Sequence, residues 1–393
     1  MKGRSEKCQP VILRQYAMRS LGLYLHIPFC RSKCLYCDFC SYPRPKEADI
    51  EAYAEALCRD LERRAADCDG YTVDTVYFGG GTPTLLPTAL LDRITQSLVR
   101  HYHLAGDLEM SAECNPATAD REKLTAMRQM GFNRLSIGLQ SAHAGELRAL
   151  GRLHDFDDFR TILQDARTAG FENVSADVMF GIPEQTTRSY LETLEGLCAL
   201  EPTHISAYGL TVEEETPFGR MGARLRLPDE EETRRMYFEG IDLLREKRYV
   251  QYEISNFCRE GFSSRHNLKY WNCEEYLGFG PAAYSDFGGS RFGNSRDLCA
   301  YINGEDIVEE RETPSRRERL NEYVMLCLRL CEGIHIPTLE KRFAVDFEEA
   351  FGKRLDGFAK LGLVRREGER IFLTGEGMYV SNAVLSDILD FSD

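Results

Sequence analysis

Between residues 21 and 211, short runs rich in β-branched and aromatic residues alternate with stretches of helical periodicity, and that alternation leaves few folds open. Strand-like runs fall at 21–29, 73–79, 107–113, 134–140, 173–180 and 204–210, with helical patterns at 48–66, 88–102, 120–130, 156–169 and 187–199 between them. Several helices open at Asp, Thr or Ser and stop near Gly106, Gly131 or Gly170. Parallel neighbours need a crossover between them, so this repetition predicts an α/β fold with a parallel sheet. Six repeats predict a partial (β/α)6 barrel rather than a closed eightfold one, with its chemistry at the carboxyl ends of the strands.

Directly after the first strand-like run, LGLYLHIPF, stand Cys30, Cys34 and Cys37 in a C-x3-C-x2-C array. Three thiolates on one loop can hold three irons of a cubane [4Fe–4S] cluster and leave the fourth iron open, whereas electron-transfer clusters take four cysteines. The alternative is a structural zinc site, although zinc knuckles usually pair C-x2-C with a second Cys or His pair. Cys40, three residues on, could be a fourth ligand, but it would close the site; it is read as a non-ligand. The spacing resembles that of the radical S-adenosylmethionine (SAM) superfamily. That resemblance implies that SAM chelates the open iron and that an electron from the cluster cleaves its sulfonium to a 5′-deoxyadenosyl radical.

Composition bounds the rest. The chain has 393 residues, 43% of them hydrophobic, enough for a barrel-sized unit plus an appendage. A net charge of −14 argues against general nucleic-acid binding and against adsorption to anionic lipid. No 18-residue apolar run and no signal peptide is visible, so no direct membrane insertion is expected. Fourteen cysteines, mostly within helical and strand patterns, fit a reducing cytoplasmic setting.

The turn-rich segment 211–228 reads as the end of a first unit, 1–228. A helix over 229–247 opens a connecting region, 229–314, which contains a dense aromatic and glycine block. Residues 315–393 read as a mainly helical, winged-helix-like module ending in the hairpin GLVRREGERIFLTGEG. Its charges nearly balance, which disfavours DNA binding.

Further chemistry lies at the strand ends. Gly80 and Gly81, in FGGGTPTLL, allow a ligand to approach the backbone closely. Glu113 (SAECNP), Gln140 (SIGLQS), Arg152 (LGRLH) and Asp177 (SADVMFGIP) offer the carboxylates, amide and guanidinium that a ligand with a diol, an ammonium and a carboxylate requires. Any one of them alone could equally be a buried polar residue satisfied by its neighbours. Tyr36, between the last two cysteines, could lay its ring on an adenine or simply pack the loop.

In order along the chain, YLHIPFCxxxCxYCDF, GGGTPT, AECNPAT, NRLSIGLQS, LGRLH, DVMFGIPEQT, HISAYGLT and HNLKYWNCEEYLGFGPAAYS together resemble the coproporphyrinogen III oxidase-like branch of radical-SAM proteins. Within it the chain is most similar to the HemW-type haem chaperones, and residues 315–393 are similar to the HemN-type C-terminal domain. The resemblance implies that Tyr24, Gly80, Gly81, Thr82, Glu113, Gln140, Arg152 and Asp177 surround SAM. It also implies haem as cargo, apo-haemoproteins as recipients and a reductant such as flavodoxin or ferredoxin. True oxidases of this branch decarboxylate coproporphyrinogen III and usually carry C-x3-C-x2-C-x-C and a longer N-terminal extension. Here Asp38-Phe39 follows Cys37 and about twenty residues precede the first strand, departures that point towards the chaperones. Oxidase activity, or another radical reaction on a tetrapyrrole, is the alternative.

His266 opens HNLKYW beside the only tryptophan of the chain. An imidazole is a common axial ligand of haem iron, and the resemblance implies haem binding through this motif. A lone His in an aromatic loop is as readily a structural residue, and Cys258 and Cys273 are rival ligands.

Overall fold

The computed structural model describes residues 18–389. Six parallel strands, β1 (Arg19–Ile27), β2 (Tyr71–Gly80), β3 (Leu104–Cys114), β4 (Arg134–Gln140), β5 (Asn173–Phe180) and β6 (His204–Gly209), lie side by side in chain order. Each is hydrogen-bonded in parallel to the next. This is the expected partial (β/α)6 barrel. No ladder joins β1 to β6: β1 pairs in parallel with Tyr276–Phe279, and β6 pairs antiparallel with Asn256–Cys258. Residues 250–312 thus extend both flanks, to twelve strands among the described residues.

The pleat sorts these strands into two faces. Outward residues such as Leu21, Leu23 and Leu25 on β1 and Leu135, Ile137 and Leu139 on β4 are buried under the helices. Those helices present matching stripes. Phe159, Ile162, Leu163 and Ala166 follow the i, i+3, i+4, i+7 spacing on helix Phe156–Thr168, whose start is fixed by a reciprocal capping box between Asp155 and Asp158. The inward rows are different: Tyr24 and His26, Tyr77 and Gly79, Glu109 and Glu113, Arg134 and Ser136, Ser175 and Asp177, and Ser206 and Tyr208. A barrel that packs itself would put branched apolar residues there. A polar interior with glycines is built around something else.

Helix Arg265–Trp271 closes the amino-terminal end of the barrel. The Glu109 carboxylate accepts from the backbone N–H groups of Arg265 (3.1 Å) and His266 (3.0 Å), the first turn of that helix.

The C-terminal module has its own core, including Leu328, Leu339, Phe347 and Ile371. Its three-stranded sheet places Ile334–His335 and Val364–Glu367 on either side of Arg370–Leu373. The hairpin does not end the module as expected, because helices Gly375–Tyr379 and Ser381–Ile388 follow it; Val384, Leu385 and Ile388 fill the core. The module docks through Arg342, which donates to the carbonyls of Asn272 (3.0 Å) and Cys273 (2.8 Å), and through the Arg319–Asp286 pair. Among the described residues no helix is long and apolar enough to cross a membrane.

Candidate functional site

The cysteine loop is fastened over the barrel mouth from two sides. A two-residue parallel bridge pairs Phe29–Cys30 with Tyr42–Pro43, and the Tyr42 and Arg44 amides donate to Pro28 O (2.7 Å) and Cys30 O (3.0 Å). The glycine turn after β2 holds this base: the Gly81 amide donates to Ile27 O and the Thr82 amide to Phe29 O, both at 2.8 Å. A β-carbon on Gly81 would come within 2.6 Å of Phe29 O and 2.7 Å of Ile27 O, so glycine is required for this approach. Gly80 has φ +103°, and its open side is filled by the His26 ring. Across the mouth, the Leu35 amide donates to Leu150 O (3.1 Å) and the Phe218 amide to Leu35 O (3.0 Å).

Cys30, Cys34 and Cys37 all line one cavity of about 170 Å³ beneath this loop. Tyr36, Gly80, Gly81, Thr82, Glu113, Gln140, Arg152 and Asp177 share its walls. Sequence positions spread over nearly 150 residues converge there because most sit at or just beyond a strand's carboxyl end, with Arg152 reaching in from beyond helix Ala144–Ala149. The Cys40 thiol turns instead towards Arg296 O (3.9 Å) and the Tyr42 hydroxyl (4.0 Å), and its backbone carbonyl is held by His26 Nε2 at 2.7 Å. Tyr24, hydrogen-bonded to His26 Nδ1 at 3.0 Å, faces an adjoining larger cavity.

The walls carry charge that the protein leaves unanswered. Glu113 accepts from the Gly80 amide (3.1 Å) and the Tyr77 hydroxyl (3.2 Å), yet burial, with the Asp177 charge adding to it, pushes its carboxyl up to about 7. Asp177 accepts from Ser136 Oγ (2.9 Å) and is also raised by burial. Arg152 donates to Gly138 O (2.7 Å) and lies 3.5 Å from Cys34 Sγ, while its Nε is buried without a partner. Gln140 is held at φ +71°, with its amide oxygen accepting from the Tyr208 hydroxyl at 2.9 Å. A strained backbone at a strand end facing a cavity is the kind that ligand sites retain. SAM carries an ammonium, a sulfonium, a ribose diol and a carboxylate. Two buried carboxylates that form no direct ion pair among the described residues and a guanidinium nitrogen that lacks an acceptor suit that set, and three thiols beside them suit a cluster with one open iron.

The adjoining cavity, about 910 Å³, occupies the barrel interior and shares Tyr36, Cys37, Glu113, Asp177 and Tyr208 with the smaller one. Tyr24, Tyr77, Tyr270, Tyr276 and Tyr284 give it an aromatic lining. His266 does not reach it. The ring is 1% exposed and stacks on Tyr77, with Nδ1 2.9 Å from Thr75 Oγ1 and Nε2 2.8 Å from the Tyr270 hydroxyl. Burial pushes its pKa down to about 3. With both nitrogens engaged, this geometry leaves none for an iron; Asn267 and Tyr270 of the same motif are the residues that face the cavity. Cys258 and Cys273 lie outside its walls. Sequence reading missed Arg134, Ser136 and Tyr208, although the alternation of polar and apolar residues along 134–140 and 204–208 marked them as one face.

A three-thiol loop over the mouth of a six-stranded partial barrel defines a radical-SAM protein. Residues 24–197 match the Radical SAM superfamily, and residues 315–380 match the HemN C-terminal domain. The heme chaperone HemW of Bacillus subtilis is 34% identical over 93% of this chain and 98% of its own length. HemW of Synechocystis is 36% identical over 79% and 78%, and HemW of Escherichia coli 35% over 68% and 69%. The fold also matches the solved structure of the Escherichia coli coproporphyrinogen III oxidase HemN, with a TM-score of 0.85 at 24% identity over 96% of this chain and 92% of that one. The chain belongs to the HemW family. Membership of the superfamily implies a [4Fe–4S] cluster and SAM.

Proposed function

We propose that this protein binds haem inside the barrel and delivers it to apo-haemoproteins, with the cluster on Cys30, Cys34 and Cys37 and SAM at the mouth. The observation that carries this reading is the shared wall. The cavity under the thiols opens onto an aromatic-lined space of about 910 Å³, within the range of pockets that bury a cofactor-sized ligand. Tyrosines offer a flat macrocycle large apolar faces at little entropic cost. The relatives that match over most of the chain carry the name heme chaperone, in line with this reading.

When bound, the cluster supplies an electron to SAM, drawn from a flavodoxin- or ferredoxin-type donor in a reducing cytoplasm. The chain's own residues do the rest. Glu113 and Asp177 take the ligand's ammonium and ribose hydroxyls, Arg152 takes its carboxylate, Gln140 and the Gly80–Thr82 turn bind through backbone and amide groups, Tyr36 covers its adenine, and Tyr24 lies at the boundary with the larger cavity. Thr82 Oγ1, 3.7 Å from Cys30 Sγ, donates to that sulfur.

The test is anoxic. Protein reconstituted with iron and sulfide is loaded with haem and mixed with apomyoglobin, and transfer is followed by absorption. Stoichiometric loading and transfer faster than release of free haem are expected. Parallel incubation with SAM, dithionite and coproporphyrinogen III is expected to give no protoporphyrinogen IX. Multiple turnovers of decarboxylation without haem transfer would replace this reading with an oxidase.

A further inference from the structure

Arg134 is among the largest fully buried side chains, 2% exposed, and it begins β4 at the floor of the large cavity. Its Nε is buried without a hydrogen-bond partner, and its guanidinium forms no ion pair among the described residues. A buried guanidinium with an unpartnered nitrogen and no ion pair is costly to keep unless something else answers it.

The neighbouring groups are already committed. The Glu109 carboxylate caps helix Arg265–Trp271. Asp177 lies near enough to feel the Arg134 charge, but its oxygens accept from Ser136. His204 is held by Ser175 (2.7 Å) and Tyr252 (2.8 Å), and His266 by Thr75 and Tyr270. Both imidazoles are buried and held neutral, so neither supplies negative charge. Lys269 and Arg265, further cations at this end, are paired, Lys269 with Asp74 (2.9 Å) and Glu274 (3.1 Å) and Arg265 with Asp107 (3.3 Å). Arg134 thus lines the cavity with its Nε unpartnered and no ion pair among the described residues.

We propose that Arg134 is an anion-binding residue at the barrel floor that takes a propionate carboxylate of the tetrapyrrole cargo. The proposal rests on the reading of the large cavity as the haem site. SAM is the other carboxylate available, but its carboxylate belongs beside the cluster. Arg152 bridges Cys34 and the Gly138 carbonyl, and Arg134 lies four residues earlier on the same strand, about 13 Å away at 3.3 Å per residue. A guanidinium fork gives a carboxylate two parallel hydrogen bonds, so it fixes orientation as well as charge. One propionate held at the floor would orient the macrocycle, with its opposite edge towards the thiols.

The experiment compares haemin with haemin dimethyl ester, which keeps the macrocycle and removes its negative charges. Anoxic, cluster-loaded wild-type, Arg134→Gln and Arg134→Lys proteins are titrated with each in the same mixed solvent, and SAM affinity is measured in parallel. The wild type is expected to prefer the free acid by roughly tenfold or more. Arg134→Gln should bring that ratio close to one while leaving ester and SAM affinities unchanged, and Arg134→Lys should retain part of it. A wild-type ratio near one overturns the proposal, whether or not the Gln variant folds. So does a ratio that survives Arg134→Gln, or a loss confined to SAM. Binding of neither macrocycle removes the cavity reading itself and the subsite with it; intact binding with an indifferent Arg134 removes only the subsite.

Discussion

The Nε2 of His266 lies 2.8 Å from the hydroxyl of Tyr270, one turn along the same helix, and that bond aims the tyrosine into the barrel. The imidazole locks the floor by tying β2, through Thr75, to the closing helix. His266→Ala should therefore destabilise the fold by about 2–4 kcal/mol, through lost packing and two orphaned hydroxyls. It should leave the absorption bands of bound haem where they are. Thermal unfolding and visible spectra of the loaded variant check both.

The same ring predicts a pH dependence. Its folded pKa is lowered to about 3 from 6.5, so between those values the unfolded chain binds a proton that the folded chain does not. This contribution is fully present above pH 6.5 and declines as pH falls towards 3, by up to about 1.4 kcal/mol per unit. In His266→Gln that part of the slope should vanish. Denaturant melts of both proteins from pH 4 to 7 give the comparison.

Cluster assembly should depend on three thiols and not on the fourth. Reconstituted Cys34→Ala should lose its iron and its visible cluster absorption, while Cys40→Ala keeps both. Iron loss from both variants would refute the ligand count.

Gly81→Ala should disturb the loop from beneath. Its new methyl group would press on the backbone of Ile27 and Phe29, with no side chain able to yield. A cost of about 1–3 kcal/mol is expected, together with faster iron loss to a chelator, because Phe29 anchors the base of the cysteine loop.

Asp177→Asn and Glu113→Gln should weaken SAM binding by roughly tenfold or more, as expected for losing a charge-assisted hydrogen bond. The cluster spectrum should survive, since neither group is a thiol ligand. Equilibrium dialysis with SAM, alongside iron content, separates the two effects.

The barrel was legible because local signals agreed. Asp155 and Thr186 each build a capping box, apolar stripes follow at helical spacing, and every β1–β6 run is flanked by such a helix. The extension of the sheet was not legible. Tyr276–Phe279 is four residues long with a glycine inside it, and its partner β1 lies some 250 positions earlier, so no local pattern announces the pairing. The thiols and rim residues could be found because they sit at strand ends or in the loops that follow them. Arg134 opens one, and His266 shows in sequence only an imidazole among aromatics, with nothing to reveal that Thr75 and Tyr270 occupy both nitrogens.

The missing ladder between β1 and β6 gives this molecule an expansion joint. In a closed barrel, strand number and shear fix the bore, and widening it means breaking hydrogen bonds. Here no rung joins the two flanks, so the hydrogen bonds of the sheet do not by themselves set the width of the chamber. Separating the β1 and β6 edges would cost the sheet none of its hydrogen bonds.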